Sequence, residues 1–404
     1  MINKYKNLDI SLLSQIIILI FLSSFVFKDI FIISIFKFKL DIQDLISLII
    51  ISIFFIFYLN KSFLNNLNIR FGYLCLSFLF LILISIFYNL EVNIGSAVFI
   101  FAGMITLLIS YSLKIKEIYK LIKFFVLYFA IVNFIYYLIQ LFFSILNSTE
   151  IIQFGFFKER LFFISLLCLA YSIIIKKFKN FIFTTILSAI LLGTSLYTGS
   201  LTGTILITIV IFVSNFKNHI RIISLLIITA LVFIIIFPQH TISKVPKIVK
   251  IISLISNKDE RYQLQDHFWR FRSTGKIVNE FKKTPKILGH GYMSHAELLQ
   301  NDFIVYRELV GESLKEKKLT THTFPSIIYD QGILTFILFI IILCVPIYRF
   351  SNYEEFFFKN IFFNNLYIII LLHSCLYYQG KPNMFFFIYF MLFFNRDVLK
   401  KEID

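Results

Sequence analysis

One polar stretch of this 404-residue chain gathers the side chains that do chemistry on phosphorylated or hydroxylated substrates. Between Pro238 and Phe324 lie five of the seven histidines, the only tryptophan (Trp269) and 15 of the 39 Lys and Arg residues. Arg270 and Arg272 have the planar fork that grips a phosphate through two parallel hydrogen bonds. Being two residues apart, they point in different directions on a helix, so at most one faces a substrate and the other snorkels toward lipid headgroups. Gly289 and Gly291 form a Gly-x-Gly turn, which either only turns the chain or also cradles a phosphate with its amides. His322 closes the stretch, and histidine is the side chain that exchanges protons near neutral pH. His267, His290 and His295 have no helical metal-ligand spacing, and no Cys or carboxylate completes a set, so no metal and no cofactor is expected. No P-loop motif and no glycosidase-type carboxylate pair is present.

The rest of the chain must hold these groups at a membrane. Hydrophobic residues make up 58% of it, charged residues 15%, and mean hydropathy is +0.84, far from a soluble globular profile. A span needs about 20 apolar residues, fewer where helices are short. On that rule the sequence predicts an all-α, polytopic integral membrane protein of about 12 transmembrane helices: 8–27, 42–59, 71–88, 93–113, 121–146, 160–175, 180–197, 200–214, 220–237, 325–347, 361–378 and 383–395. The organisation follows as 1–237 (nine helices), 238–324 (a large external loop) and 325–404 (three helices), one membrane domain in all. Within the loop, residues 261–283 carry apolar positions at Leu264, Phe268, Phe271, Ile277, Val278 and Phe281, an amphipathic helix that Pro285 stops. The four cysteines lie in apolar runs and read as small core residues.

Charge sets the orientation. With the N-terminus inside, cytoplasmic flanks hold 18 Lys and Arg residues and the short external loops only six. The positive-inside rule then puts both termini in the cytoplasm and 238–324 outside. The same rule accounts for the net charge of +16 without nucleic acid, for which no basic stripe with interleaved aromatics is present. Segment 28–41, with Lys28, Lys37 and Lys39 on the outer side, is the poor fit.

The order of motifs resembles the O-antigen ligase and O-antigen polymerase superfamily of bacterial envelope glycan enzymes. The resemblance rests on Leu196-Tyr-Thr-Gly-Ser-Leu-Thr-Gly-Thr, Trp269-Arg-Phe-Arg, Pro285-Lys-Ile-Leu-Gly-His-Gly, and Thr321-His-Thr-Phe-Pro before Tyr329-Asp-Gln-Gly-Ile-Leu. It implies a bacterial plasma (inner) membrane protein moving glycan from an undecaprenyl diphosphate carrier to an acceptor hydroxyl, without a metal, on the periplasmic face. Arg270 would steady the diphosphate and His322 would accept or orient the acceptor's proton. The acceptor is a second lipid-linked repeat unit in a polymerase or the lipid A–core in a ligase, and a chain-length regulator is a further partner. The family often has an arginine where Leu201 stands; Arg160 either replaces that cation or anchors the chain at the interface beside Glu159. A polytopic exporter or flippase, with short helices around Gly193–Gly203 as its substrate site, is the alternative of a different class. The membrane runs hold few of the ionisable residues translocation pathways need.

The orientation predicts that, in a chain freed of its four native cysteines, Ser256→Cys reacts with a small membrane-impermeant maleimide in intact cells. Asn218→Cys reacts only after permeabilisation. The reverse pattern would invert the topology.

Overall fold

A computed structural model describes residues 2–27, 32–35, 38–57, 72–88, 90–147, 156–157, 160–178, 180–197, 201–214, 275–292, 294–295, 298–299, 326–351, 361–376 and 382–395. The apolar runs become helices: α1 (Ile2–Phe27), α2 (Ile42–Phe57), α3 (Gly72–Phe87), α4 (Leu90–Tyr111), α5 (Ile115–Asn147), α6 (Arg160–Lys177), α7 (Phe181–Tyr197) and α8 (Leu201–Ser214). After the polar stretch come a π-turn (Ile327–Gln331) and α9 (Gly332–Ser351), α10 (Ile361–Leu376) and α11 (Met384–Phe393). Of the expected spans, 220–237 lies outside the described residues, and each of the others coincides with a helix. Among the described residues, three stretches are long and apolar enough to cross a membrane: Ile94–Tyr111, Ile115–Phe143 and Ile327–Pro346. The other described apolar helices run to 10–17 residues, so helix length does not confirm twelve crossings.

The described residues are helical throughout apart from one short hairpin and the connecting turns. Strands β1 (Ile32–Ile35) and β2 (Phe38–Asp41) pair antiparallel, with Ile32 opposite Asp41 and Ile35 opposite Phe38. This hairpin occupies the 28–41 segment that charge bias fitted poorly. Its β-branched isoleucines favour an extended pleat over a helix.

The described chain divides into two compact units. The first comprises residues 1–121, 266–352 and 370–404. Its core is aromatic: Phe21 and Phe25 of α1, Phe99 of α4 and Phe387 of α11 meet at centroid distances of 4.9 to 5.9 Å. Phe78 of α3 stacks on Phe339 of α9 nearby, at 5.6 Å. Every residue of α11 is buried. A ten-residue helix is only about 15 Å long, half a bilayer core, so α11 is a core helix surrounded by protein. Asn383 caps it, its Oδ1 accepting from the Phe385 and Phe386 amides while its Nδ2 lies 3.1 Å from His373 Nδ1. The Tyr389 hydroxyl donates to the Ile342 carbonyl at 2.8 Å.

The second unit comprises residues 122–265 and 353–369. Helix α6 is buried nearly all round from Leu161 to Ser172, and polar side chains tie its neighbours to it. Asn365 Nδ2 donates to Ser172 Oγ at 2.7 Å and to Ser214 Oγ at 2.8 Å, and the Tyr171 hydroxyl donates to Ser188 Oγ at 2.6 Å while Ser188 donates to the Thr184 carbonyl. Between apolar helices, packing and such hydrogen bonds replace the hydrophobic effect, each bond contributing about 0.6 kcal/mol.

Close packing against α4 requires Gly103, where an added Cβ would lie 2.6 Å from Phe387 ring carbons. Gly103→Val is expected to destabilise the detergent-solubilised protein by about 1–3 kcal/mol, read as a lower thermal midpoint. Gly193→Ala, where a Cβ meets nothing within 4 Å, leaves the midpoint unchanged or slightly raised.

Candidate functional site

Two motifs some forty residues apart in sequence meet in the first unit. The amphipathic expectation holds where it is described: residues 275–283 are helical, and Ile277 is buried with Leu299 and Tyr329 while Phe281 packs against that cluster. The helix stops just before Pro285, which lacks the amide to continue it. The chain then turns back through Gly289 (φ 78°) and Gly291 (φ 108°), both in the left-handed region that glycine alone enters without strain.

That turn lies along the π-turn at the start of α9. The His290 amide donates to the Tyr329 carbonyl at 2.8 Å, the Gly291 amide to the Asp330 carbonyl at 2.9 Å, and the Tyr292 amide to the Ser85 carbonyl of α3 at 3.0 Å. The His290 ring stacks on Tyr329 with centroids 4.3 Å apart and planes 12° from parallel. A Cβ on Gly289 would overlap the Asp330 carbonyl, and one on Gly332 (φ 86°) would overlap the Ile287 carbonyl. Backbone thus approaches backbone with no room for a side chain on either side. A single π-turn inserted ahead of an α-helix is a recurrent feature of functional sites.

Asp330 is the centre of this junction. Its side chain is 1% exposed. Oδ1 accepts from the His295 amide at 2.8 Å, and Oδ2 lies 2.5 Å from His295 Nδ1. Its carbonyl accepts from the Ser85 hydroxyl at 3.0 Å as well as from the Gly291 amide. Because an ionised carboxylate only accepts, the proton between the pair sits on Nδ1, which fixes the imidazole tautomer and ring orientation. Tyr292, buried beside them, has its phenol pushed up to about 12, mainly by burial and further by the Asp330 charge, against a hydrogen bond to Ser96. It therefore remains a neutral hydroxyl.

The residues singled out from sequence are unevenly placed. Arg270, Arg272 and His322 lie outside the described residues. Arg160 opens α6 in the second unit and is exposed. Gly289 and Gly291 sit in the junction with their amides committed, to the Lys286 carbonyl at 3.3 Å and to Asp330 respectively; what the turn grips is the protein's own backbone. The His295–Asp330 pair was not foreseen. Its signal was present: a carboxylate in the opening turn of an apolar helix, where an ionisable residue needs a partner. Two groups alone do not make a metal site, and no cluster of three or more His, Cys, Asp or Glu suited to a metal occurs among the described residues.

Gly332→Ala is expected to lower stability by about 1–3 kcal/mol through its left-handed backbone alone, with the carbonyl overlap adding to that. A thermal midpoint equal to wild type would show that the junction is not locked by glycine. No protein-family model, no curated protein and no solved structure matches this chain.

Proposed function

We propose that this protein is a membrane glycosyltransferase that polymerises undecaprenyl-diphosphate-linked oligosaccharide repeat units on the outer face of the bacterial plasma membrane. One observation carries the reading: the Pro285–Gly291 turn and the Tyr329–Leu334 run, adjacent in the motif order of O-antigen ligases and polymerases, are hydrogen-bonded into one junction. A shared architecture behind the two motifs supports treating them as one site and not as two chance matches. The junction opens Ile327–Pro346, one of the stretches long enough to cross a membrane. A donor whose lipid tail stays in the bilayer must be met at such a boundary.

The chemistry follows from the charges that develop. As the acceptor oxygen bonds to the anomeric carbon, the bond from that carbon to the diphosphate breaks and its electron pair leaves with the phosphate. Arg270 neutralises that leaving group. His322 takes the proton of the acceptor hydroxyl. A single displacement of this kind inverts the anomeric configuration. In this reading the protein is multi-pass, both termini are cytoplasmic, and residues 238–324 face the periplasm.

With purified protein and carrier-linked glycan, His322→Ala is expected to lower turnover at least a hundredfold, the lower bound for losing a general base. Wild-type-like turnover in that variant removes the assigned mechanism. A deletion strain separates the neighbouring activities. Single repeat units on lipid A–core mean lost polymerisation; bare core with polymer kept on its carrier means lost ligation. Glycan retained on the cytoplasmic side means an exporter.

A further inference from the structure

The His295–Asp330 pair is built with more constraint than a loop anchor needs, and one of its atoms is unused. Asp330 holds His295 twice, through the backbone amide and through Nδ1. Nδ1 therefore carries the proton, and Nε2 is left as the working end of the ring. No hydrogen bond to Nε2 exists among the described residues, although the His295 side chain is only 5% exposed. Polar groups in such surroundings are nearly always paired. Among the described residues Nε2 is thus unpaired, on a side chain that keeps a small part of its surface open.

Charge decides what it takes. The pair carries zero net charge when the imidazole is protonated and one negative charge when it is not, so it does not attract a diphosphate or a carboxylate. A hydroxyl fits both states, since it donates to a bare Nε2 and accepts from a protonated one. Glycans present many such hydroxyls and no charge need be involved. We propose that His295, oriented by Asp330, binds a sugar hydroxyl of the glycan substrate; this rests on the glycan-transfer reading and adds a residue that its motif order does not include. His295 is on this account a binding residue, separate from the proton transfer assigned to His322.

Two substitutions divide the functions of the ring. In His295→Asn the amide nitrogen stands where Nδ1 stood, so the bond to Asp330 survives and Nε2 is lost. In His295→Gln the amide reaches the Nε2 position and the Nδ1 bond is lost. Turnover of carrier-linked glycan gives KM and kcat, and calorimetry with the delipidated repeat oligosaccharide gives affinity in the absence of chemistry. Expected for His295→Asn are a near wild-type thermal midpoint, kcat within about threefold, and KM and Kd raised roughly three- to tenfold, the range for one neutral hydrogen bond. His295→Gln recovers part of that affinity at a lower thermal midpoint. The opposite pattern, with Asn equal to wild type and Gln impaired, makes the pair a structural anchor and overturns the proposal. If wild type turns over glycan but the Asn variant changes neither KM nor Kd, the sugar contact fails and the transferase stands. If wild type binds oligosaccharide with the expected Asn and Gln pattern yet shows no turnover, the transferase reading fails and the contact stands.

Discussion

The structure of the first unit depends on one buried carboxylate. Removing a carboxylate from water costs several kcal/mol even after the protein relaxes around it, and Asp330 is almost wholly removed. What offsets that cost is directional: an amide and a ring N–H from His295 on its two oxygens. Hydrogen bonds to a charged acceptor are roughly twice as strong as neutral ones, so the position of residue 295 is dictated by residue 330. The carbonyl of the same residue receives the Ser85 hydroxyl and the Gly291 amide. Three segments distant in sequence, around residues 85, 291 and 330, therefore share one point. A buried carboxylate–imidazole pair of this type adds little net stability over an apolar substitute, but it penalises any arrangement in which either partner is alone. Its effect is to make one register of the turn on the helix the only acceptable one.

The glycines do for shape what the ion pair does for charge. Gly289 and Gly332 face each other's backbone so closely that neither tolerates a Cβ. The π-turn supplies the remaining adjustment, since its wider ring turns the Tyr329 and Asp330 carbonyls out of the helix ladder toward the His290 and Gly291 amides. Backbone groups that a regular helix would consume internally become the docking edge for an external turn.

How much of this was legible in the sequence follows from which forces are local. Apolar runs became helices because a backbone in apolar surroundings must satisfy its hydrogen bonds within the segment, and that demand is visible residue by residue. Glycine at 289 and 291 marked a turn for a similarly local reason, the positive φ. Run length alone does not tell a crossing helix from a buried one. Residues 384–393 are as apolar as any span, yet the helix is enclosed by protein, and hydropathy does not distinguish a lipid neighbour from a phenylalanine one. The hairpin at 32–41 was hidden because strand pairing depends on a partner strand and not on the run itself. Asp330 was visible as an oddity, but its partner lies 35 residues earlier, and nothing in the intervening sequence encodes that proximity. Charge pairing across a fold is the part of a site that composition and periodicity leave out.

The same lock does not separate enzyme from carrier. Alternating access moves one bundle against another largely as rigid bodies, so a locked junction within one unit is compatible with either class. The junction of α3, the 284–292 turn and α9 meets through backbone amides, backbone carbonyls and the buried His295–Asp330 pair, with glycine at the points of closest approach. Sliding it by one residue would strand the Asp330 carboxylate and collide a side chain with a carbonyl. In the transfer reaction we propose, a junction held this way would keep substrate-facing groups in register, where misplacement by about 1 Å is enough to lose a hundredfold in rate.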